Sequence, residues 1–281
     1  MRALTSGLGG CGVNLQEADF FITHMHADHL GLVPNLAADT ARIYFGWADA
    51  AIINSNTPEY WEKQANFARK HGFPGDELER AIRNHPGRRY SPAARLDFYI
   101  LKEGDTVSMG DYLFRCIETP GHTEGHLCLY EPGKKIFISG DHVLGDITPN
   151  ISLWSDERNP LKEYLMSLDK VYDLDVELVL PGHRSILKNH RERIGELRRH
   201  HQLRLDEIIS ILGKGMQNAS QVASQMTWDV TYKSWDMFPP SQKWFAFGEA
   251  IAHLKFLEEE GKVGKEMQGQ EVVFFRGASS D

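Results

Sequence analysis

Apolar and polar positions follow two different periods along this chain, and the switches between them mark out the elements. Asp19-Phe20-Phe21-Ile22-Thr23 is a β-branched and aromatic run of strand length, which predicts a short buried strand. Leu30 to Ala38 reads as a helix start, Arg42 to Phe45 as a strand and Trp47 to Asn54 as a second helix, so this stretch alternates in the βαβ manner. From Pro58 to about Asn84 the pattern is helical and amphipathic. Pro58 and Pro74 stand at first-turn positions there, and Tyr60, Trp61, Phe67 and Phe73 supply apolar bulk. This predicts a helical insertion. Between Phe98 and Ser139 short runs are separated by turn signals at Glu103-Gly104-Asp105, Met109-Gly110-Asp111 and Glu131-Pro132-Gly133, the pattern of an antiparallel meander. Pro160 to Tyr172 is an amphipathic helix, and Val176 to Leu180 a buried strand running into Pro181-Gly182-His183.

The character changes after that. Asn189 to about Leu212 predicts a long helix rich in Arg and His. A short helix follows near Ala219 to Met226, then a longer one from Ser241 to Glu260. Two strands around Lys262 to Lys265 and Glu271 to Phe275 close the chain through Gln268-Gly269. Three helices and a hairpin are the order of a winged-helix domain. The expected organisation is thus a layered α/β catalytic domain over residues 1–188 and a winged-helix-like domain over 189–281.

Composition narrows the function classes. The net charge is −8, and residues 189–276 carry 12 Lys plus Arg against 12 Asp plus Glu, so the basic stripe of a nucleic-acid binder is missing. Cys11, Cys116 and Cys128 are too few for a disulfide framework, which fits a cytoplasmic protein with Cys116 and Cys128 in the core. No export signal is visible at the start and no apolar run reaches the length of a membrane span.

Histidine carries the chemistry. Seven of the 13 histidines sit in four short segments: Thr23-His24-Met25-His26-Ala27-Asp28-His29, Thr119-Pro120-Gly121-His122-Thr123-Glu124-Gly125-His126, Ile138-Ser139-Gly140-Asp141-His142 and Pro181-Gly182-His183. Each lies at a predicted strand end or turn, where the ligand sites of layered α/β proteins collect. Residues on a loop leaving a strand fan out, so His24 and His26 aim at one point while Asp28 and His29 aim at a second a few ångströms away.

The series THMHADH, PGHTEGH, SGDH and PGH resembles the metallo-β-lactamase superfamily over about Asp19 to Asn189. The resemblance implies an αββα sandwich in which His24, His26 and His122 hold one metal, Asp28, His29 and His183 hold a second, and Asp141 bridges them. In that resemblance, having both Asp28 and His183 favours the two-metal branch. GDHVLGDITPNISLW and the winged-helix-like tail are similar to cytosolic hydrolases of the superfamily, some of which cleave single-stranded RNA. Only 18 residues precede Asp19, so the first sheet is expected to be short at its N-terminal side.

The expected reaction is hydrolysis by a metal-bridging hydroxide, with Asp28 positioning it and carrying the proton. Zinc suits an imidazole-rich, cysteine-free donor set, with iron or manganese as alternatives. A small-molecule ester, thioester or lactone is the first substrate class, with the Pro58–Asn84 insertion as a lid. A nuclease and an iron-dependent oxidoreductase are the alternatives, and a homodimer is a further expectation. His126 is expected to orient a ligand, and His142 to face either the pocket or solvent. Tyr60, Trp61 and Trp235 are expected to border the cleft. Arg88, Arg89 and Tyr90 are expected on a solvated loop, and His200-His201 with Arg198, Arg199 and Arg204 on a charged outer helix face.

Overall fold

The computed structural model describes residues 2–55, 57–92 and 95–277. Strands β1 (Phe20–Phe21), β2 (Ile43–Gly46) and β3 (Tyr99–Leu101) form a parallel sheet in that order. Strands β4 (Thr106–Met109), β5 (Tyr112–Glu118), β6 (Leu127–Glu131) and β7 (Ile136–Gly140) make the antiparallel meander of a second sheet. In that sheet β8 (Leu178–Pro181) lies parallel beside β7. The C-terminal hairpin is β9 (Val263–Gln268) against β10 (Glu271–Arg276). The helices are α1 (Arg2–Gly10), α2 (Ala27–Leu30), α3 (Val33–Leu36), α4 (Trp47–Asn54), α5 (Pro58–Lys70), α6 (Gly75–Arg83), α7 (Pro86–Arg89), α8 (Pro160–Tyr172), α9 (His190–Leu212), α10 (Ala219–Gln225) and α11 (Pro240–Glu259).

The two-residue period of β6 explains the layering. Leu127 and Leu129 point into an apolar layer shared with Val107, Phe114, Cys116 and, from the other sheet, Phe21, Tyr44 and Leu101. Cys128 and Tyr130, from the same strand, point the other way into a large core with Ile117, Phe137, Tyr164 and Leu168, where α8 packs. On the far side, Ile22, Ile43 and Phe45 are covered by Leu30, Val33 and Ala50 from α2 to α4. Helix, sheet, sheet, helix is therefore the order of layers, the αββα sandwich of the α/β class expected. Cys116 and Cys128 are both fully buried.

The C-terminal helices join the same core. Trp244, Phe247, Ile251 and Leu254 of α11 pack in one cluster with Leu161 and Tyr164 of α8, Ile194 and Ile208 of α9, and Leu78 and Ala81 of α6. Helix α11 is buried almost all round, as a helix at the centre of a bundle must be. Gln217 adds a single bridge to Phe274 of β10.

Four expectations change. The first strand shrinks to Phe20–Phe21, and the helix expected from Leu30 to Ala38 is replaced by two single turns, Ala27–Leu30 and Val33–Leu36, because Pro34 lacks the N–H that a continuous helix needs. The Pro58–Asn84 segment is no lid: Trp61, Ala65, Ala68, Leu78 and Ile82 are buried in the main core. His201 and Arg204 are buried rather than on an outer face. They fall at helical spacing on the stripe of Leu197, Leu205 and Ile208, which puts them against α11, where His201 Nδ1 meets His253 Nε2 at 3.0 Å.

Candidate metal centre

All four histidine-bearing segments emerge at one end of the sandwich: after β1, between β5 and β6, after β7 and after β8. The first loop is tied to the second by hydrogen bonds. Leu127 N–H donates to Thr23 O (2.8 Å), and the buried Asp49 of α4 accepts from Met25 N (2.9 Å), Thr123 Oγ1 (2.7 Å) and Gly125 N (2.7 Å). One carboxylate thus fixes the backbone between His24 and His26 and the backbone just after His122. The fourth loop comes in close because residue 182 is Gly. A Cβ there would lie 2.4 Å from Asp141 Oδ1 and 2.8 Å from His29 Cε1.

Three overlapping donor sets result: His24, His26 and His122; His24, His29 and Asp141; Asp28, His29 and His183, with donor atoms within 4.8 Å of one another in each. His24 Nε2 and His26 Nδ1 are 3.0 Å apart, and His29 Nε2 and His183 Nε2 3.2 Å. Asp141 lies between the groups, with Oδ2 3.4 Å from His183 Nε2, 3.7 Å from His122 Nε2 and 4.0 Å from His24 Nε2, while Oδ1 is 3.4 Å from His29 Nε2. Asp28 Oδ2 is 3.2 Å from His183 Nε2 and 4.0 Å from His29 Nε2.

The electrostatics favour a cation. Burial, reinforced by neighbouring imidazoles, holds His24 and His122 far below the usual histidine range and brings His26 down to about 3, so these rings stay neutral with lone pairs available. Burial raises the Asp141 carboxyl to about 6, with His183 opposing and the Asp28 carboxylate adding to the rise. The rings are also aimed. His122 Nδ1 donates to Asn150 O (2.8 Å) and His24 Nδ1 lies 3.0 Å from Thr23 Oγ1, leaving each Nε2 facing the cluster. Among the described residues, His122 Nε2 and Asp141 Oδ1 are buried without a hydrogen-bond partner. A divalent ion answers such orphans.

The remaining expected residues take different places. His126, fully buried, accepts from Asp141 N (3.1 Å) and meets Thr119 Oγ1 at 2.7 Å, so it holds the Asp141 backbone and touches no ligand ring by hydrogen bond. His142 faces neither pocket nor solvent: it is buried beside the Tyr164 ring, and burial lowers it to about 3. Trp61 is a core residue, with Tyr60 packed on its edge and half-buried. Trp235 rests on Phe238 and Lys243 of the C-terminal region, and none of its described contacts is with the cluster. Arg88, Arg89 and Tyr90 are exposed, at a one-turn helix. Two residues escaped sequence reading: Asp49 and Asn150. The signal for Asp49 is a lone acid in an otherwise apolar helix, WADAAIIN. Asn150 acts through its backbone carbonyl, which leaves no residue-type signal.

Comparison with known proteins agrees with this geometry. The model of the metallo-beta-lactamase superfamily matches residues 21–183, and that of a metallo-beta-lactamase-like C-terminal domain matches 205–278. The chain is similar to a solved metallo-beta-lactamase family protein of Thermus thermophilus (TM-score 0.80, 29% identity, 98% of this chain and 85% of that one). It is similar to a probable metallo-hydrolase of Bacillus subtilis (25% identity, 97% of this chain and 85% of that protein) and to a bovine acyl-coenzyme A thioesterase (26%, 57% and 54%). It spans 58% of the length of a Caenorhabditis elegans beta-lactamase-like protein 2 homolog, at 26% identity over 74% of this chain. With the αββα layers and the strand-end His and Asp donors, these matches show that the chain belongs to the metallo-β-lactamase superfamily, a fold of metallo-hydrolases.

Proposed function

We propose that the chain is a two-metal hydrolase of small-molecule thioesters, esters or lactones, working in the cytoplasm. The observation that carries this reading is the pair of buried donor atoms that make no hydrogen bond among the described residues, His122 Nε2 and Asp141 Oδ1, at the junction of three donor sets. His24, His26 and His122 would hold one cation, Asp28, His29 and His183 the other, and Asp141 would touch both. Zinc is the proposed ion, on the imidazole-rich, cysteine-free donor set. When bound, the pair supplies a water acidified towards neutrality and positive charge for the oxygen under attack.

The chain's own residues do the rest. Asp28 is the exposed member of the set, its side chain 60% accessible, and is therefore the carboxylate placed to move a proton between the site and an entering water or leaving group. Fixed by Asp49, the His24 and His122 loops do not have to reorganise during a turnover. Leu32, Tyr90, Ile147 and Ile186 are exposed apolar side chains on or beside the ligand-bearing loops, a rim suited to an acyl chain rather than to a phosphate backbone. The thioesterase among the relatives and the neutral charge of residues 189–276 support the same choice. The C-terminal region, a winged-helix-like unit in this reading from about residue 189, then serves packing rather than nucleic-acid binding.

The test is a substrate screen on zinc-loaded protein with and without chelator. Chelator-sensitive hydrolysis of acyl-coenzyme A, aryl ester or lactone substrates is expected. Turnover confined to phosphodiesters would overturn the substrate class, and turnover indifferent to chelator the metal reading.

A further inference from the structure

The C-terminal helix α11 reaches the metal centre through one asparagine. Asn150 offers its backbone carbonyl to His122 Nδ1 (2.8 Å), and its side chain is held on three sides. Asn150 Nδ2 donates to Glu249 Oε2 (2.9 Å) and to Phe245 O (3.3 Å), while Ser152 Oγ donates to Asn150 Oδ1. Next to this, Leu153 N donates to Gly248 O (3.1 Å), a close approach that needs glycine: a Cβ at 248 would lie 2.7 Å from Trp154 and 2.8 Å from Ser152. Glu249 is itself paired with Arg204 of α9 (3.5 Å), and the two side chains are only 12% and 8% exposed. A buried carboxyl group, whose pKa burial raises and the Arg204 guanidinium partly holds down, thus grips the strap 150–154, and the strap ends on a ligand ring.

Resting on the metal-centre reading above, we propose that Glu249 is a positioning residue of the metal site. Acting through Asn150, it fixes the carbonyl that sets the tautomer and direction of His122, and so tunes the affinity of the site built from His24, His26 and His122. The chemistry is that of an outer hydrogen bond on a ligating imidazole: Nδ1–H held by a fixed oxygen leaves Nε2 as the donor and raises its basicity. Ordinary packing between helices would predict otherwise, because a contact that only glues α11 to the strap lowers stability without changing how zinc is bound.

The experiment measures zinc affinity of the full chain by competition with a chromophoric chelator, together with the melting temperature of the metal-free protein. Glu249→Ala should weaken the tighter zinc site about 10- to 100-fold. Glu249→Gln, which retains an oxygen for Asn150, should recover most of that loss. Lys243→Met, on the same helix, removes the buried ion pair with Glu77 (2.5 Å) and should lower the melting temperature while zinc affinity stays at the wild-type value. If Glu249→Ala does not fold, Gly248→Ala carries the test, because its added methyl displaces the strap and should weaken zinc in the same range. Wild-type zinc affinity in the folded Glu249 or Gly248 variants overturns the proposal. Failure of the underlying reading looks different: His122→Ala would then bind zinc as the wild type does, and the proposal falls with it.

Discussion

The two halves of the centre are built differently. His24 and His122 have side chains 0% and 5% exposed, each with one ring nitrogen held by a fixed oxygen, Thr23 Oγ1 or Asn150 O. Across Asp141, Asp28 is 60% exposed, His183 35% and His29 14%; they meet one another and Asp141, and His29 Nδ1 reaches Thr23 Oγ1 only at 3.5 Å. The buried half is pre-organised, so its imidazoles are already neutral and aimed; on the proposed reading the open half would admit water, protons and substrate. On the proposed reading, a structural cation site and a reactive one would be joined at a single carboxylate.

The largest effect tests the joint. Asp141→Ala should empty or weaken both halves and lower kcat/KM by more than about 100-fold, since outer-shell changes alone cost 10- to 100-fold. A variant that keeps both metals and more than a tenth of the activity would break the picture of one shared carboxylate.

Staged removal of metal separates the halves. Under chelator, loss of metal should be biphasic, with the open half emptying at least about tenfold faster because its ligands are solvated. His183→Ala should abolish the fast phase and leave the slow one. Loss in one phase would show that the halves are equivalent.

Asp49→Asn sharpens the account of the buried half. The amide cannot accept all three hydrogen bonds that the carboxylate takes from Met25, Thr123 and Gly125, so a buried donor is left unsatisfied at a cost of about 1–3 kcal/mol. Metal-free stability should fall by that order, and the slow phase of metal loss should quicken while the fast phase hardly changes.

Acid should act on the buried side too. Burial lowers His126 well below the ordinary value of 6.5 and brings His142 and His253 down to about 3. Below pH 6.5 the unfolded chain therefore binds protons that the folded chain refuses, and their contribution to stability is lost as pH falls from 6.5 towards 3. Asp49 and Asp141, raised to about 6, work the other way between pH 6 and 3.8, but fewer groups are involved. The metal-free melting temperature should fall on going from pH 7 to pH 4.5. A flat or rising profile would contradict the burial of neutral imidazoles.

His126→Ala should cost least, about tenfold in activity, because His126 holds the Asp141 backbone through one N–H and meets the donors by stacking on the His24 ring rather than by a hydrogen bond. A loss equal to that of Asp141→Ala would contradict this division of roles.

What was legible in the sequence follows the same divide. The donors could be read because they are rare residue types packed into short loops between strands, and the layered fold because β6 is a short apolar run buried on both faces while α8 buries residues at helical spacing. The supports could not. Asp49 acts on Gly125 from 76 positions away, and Asn150 reaches Glu249 across 99, so neither leaves a local pattern. His201 and Arg204 were misplaced by reading their charge in place of their spacing. They stand on the apolar stripe of α9, and only the position of α11 shows that the stripe continues through them. The Pro58–Asn84 helices were readable as amphipathic, but the partner of their apolar face lies in α11, almost two hundred residues on, which is why a lid was expected where the core is found.

The central claim is that this centre binds two divalent cations in unlike halves. It is tested most directly by counting metals in protein purified from zinc-replete expression and dialysed against buffer, for the wild type, His183→Ala and Asp141→Ala. Two zinc per chain in the wild type, one in His183→Ala and none in Asp141→Ala are predicted. A wild-type content of one or none, or two retained in His183→Ala, would contradict it.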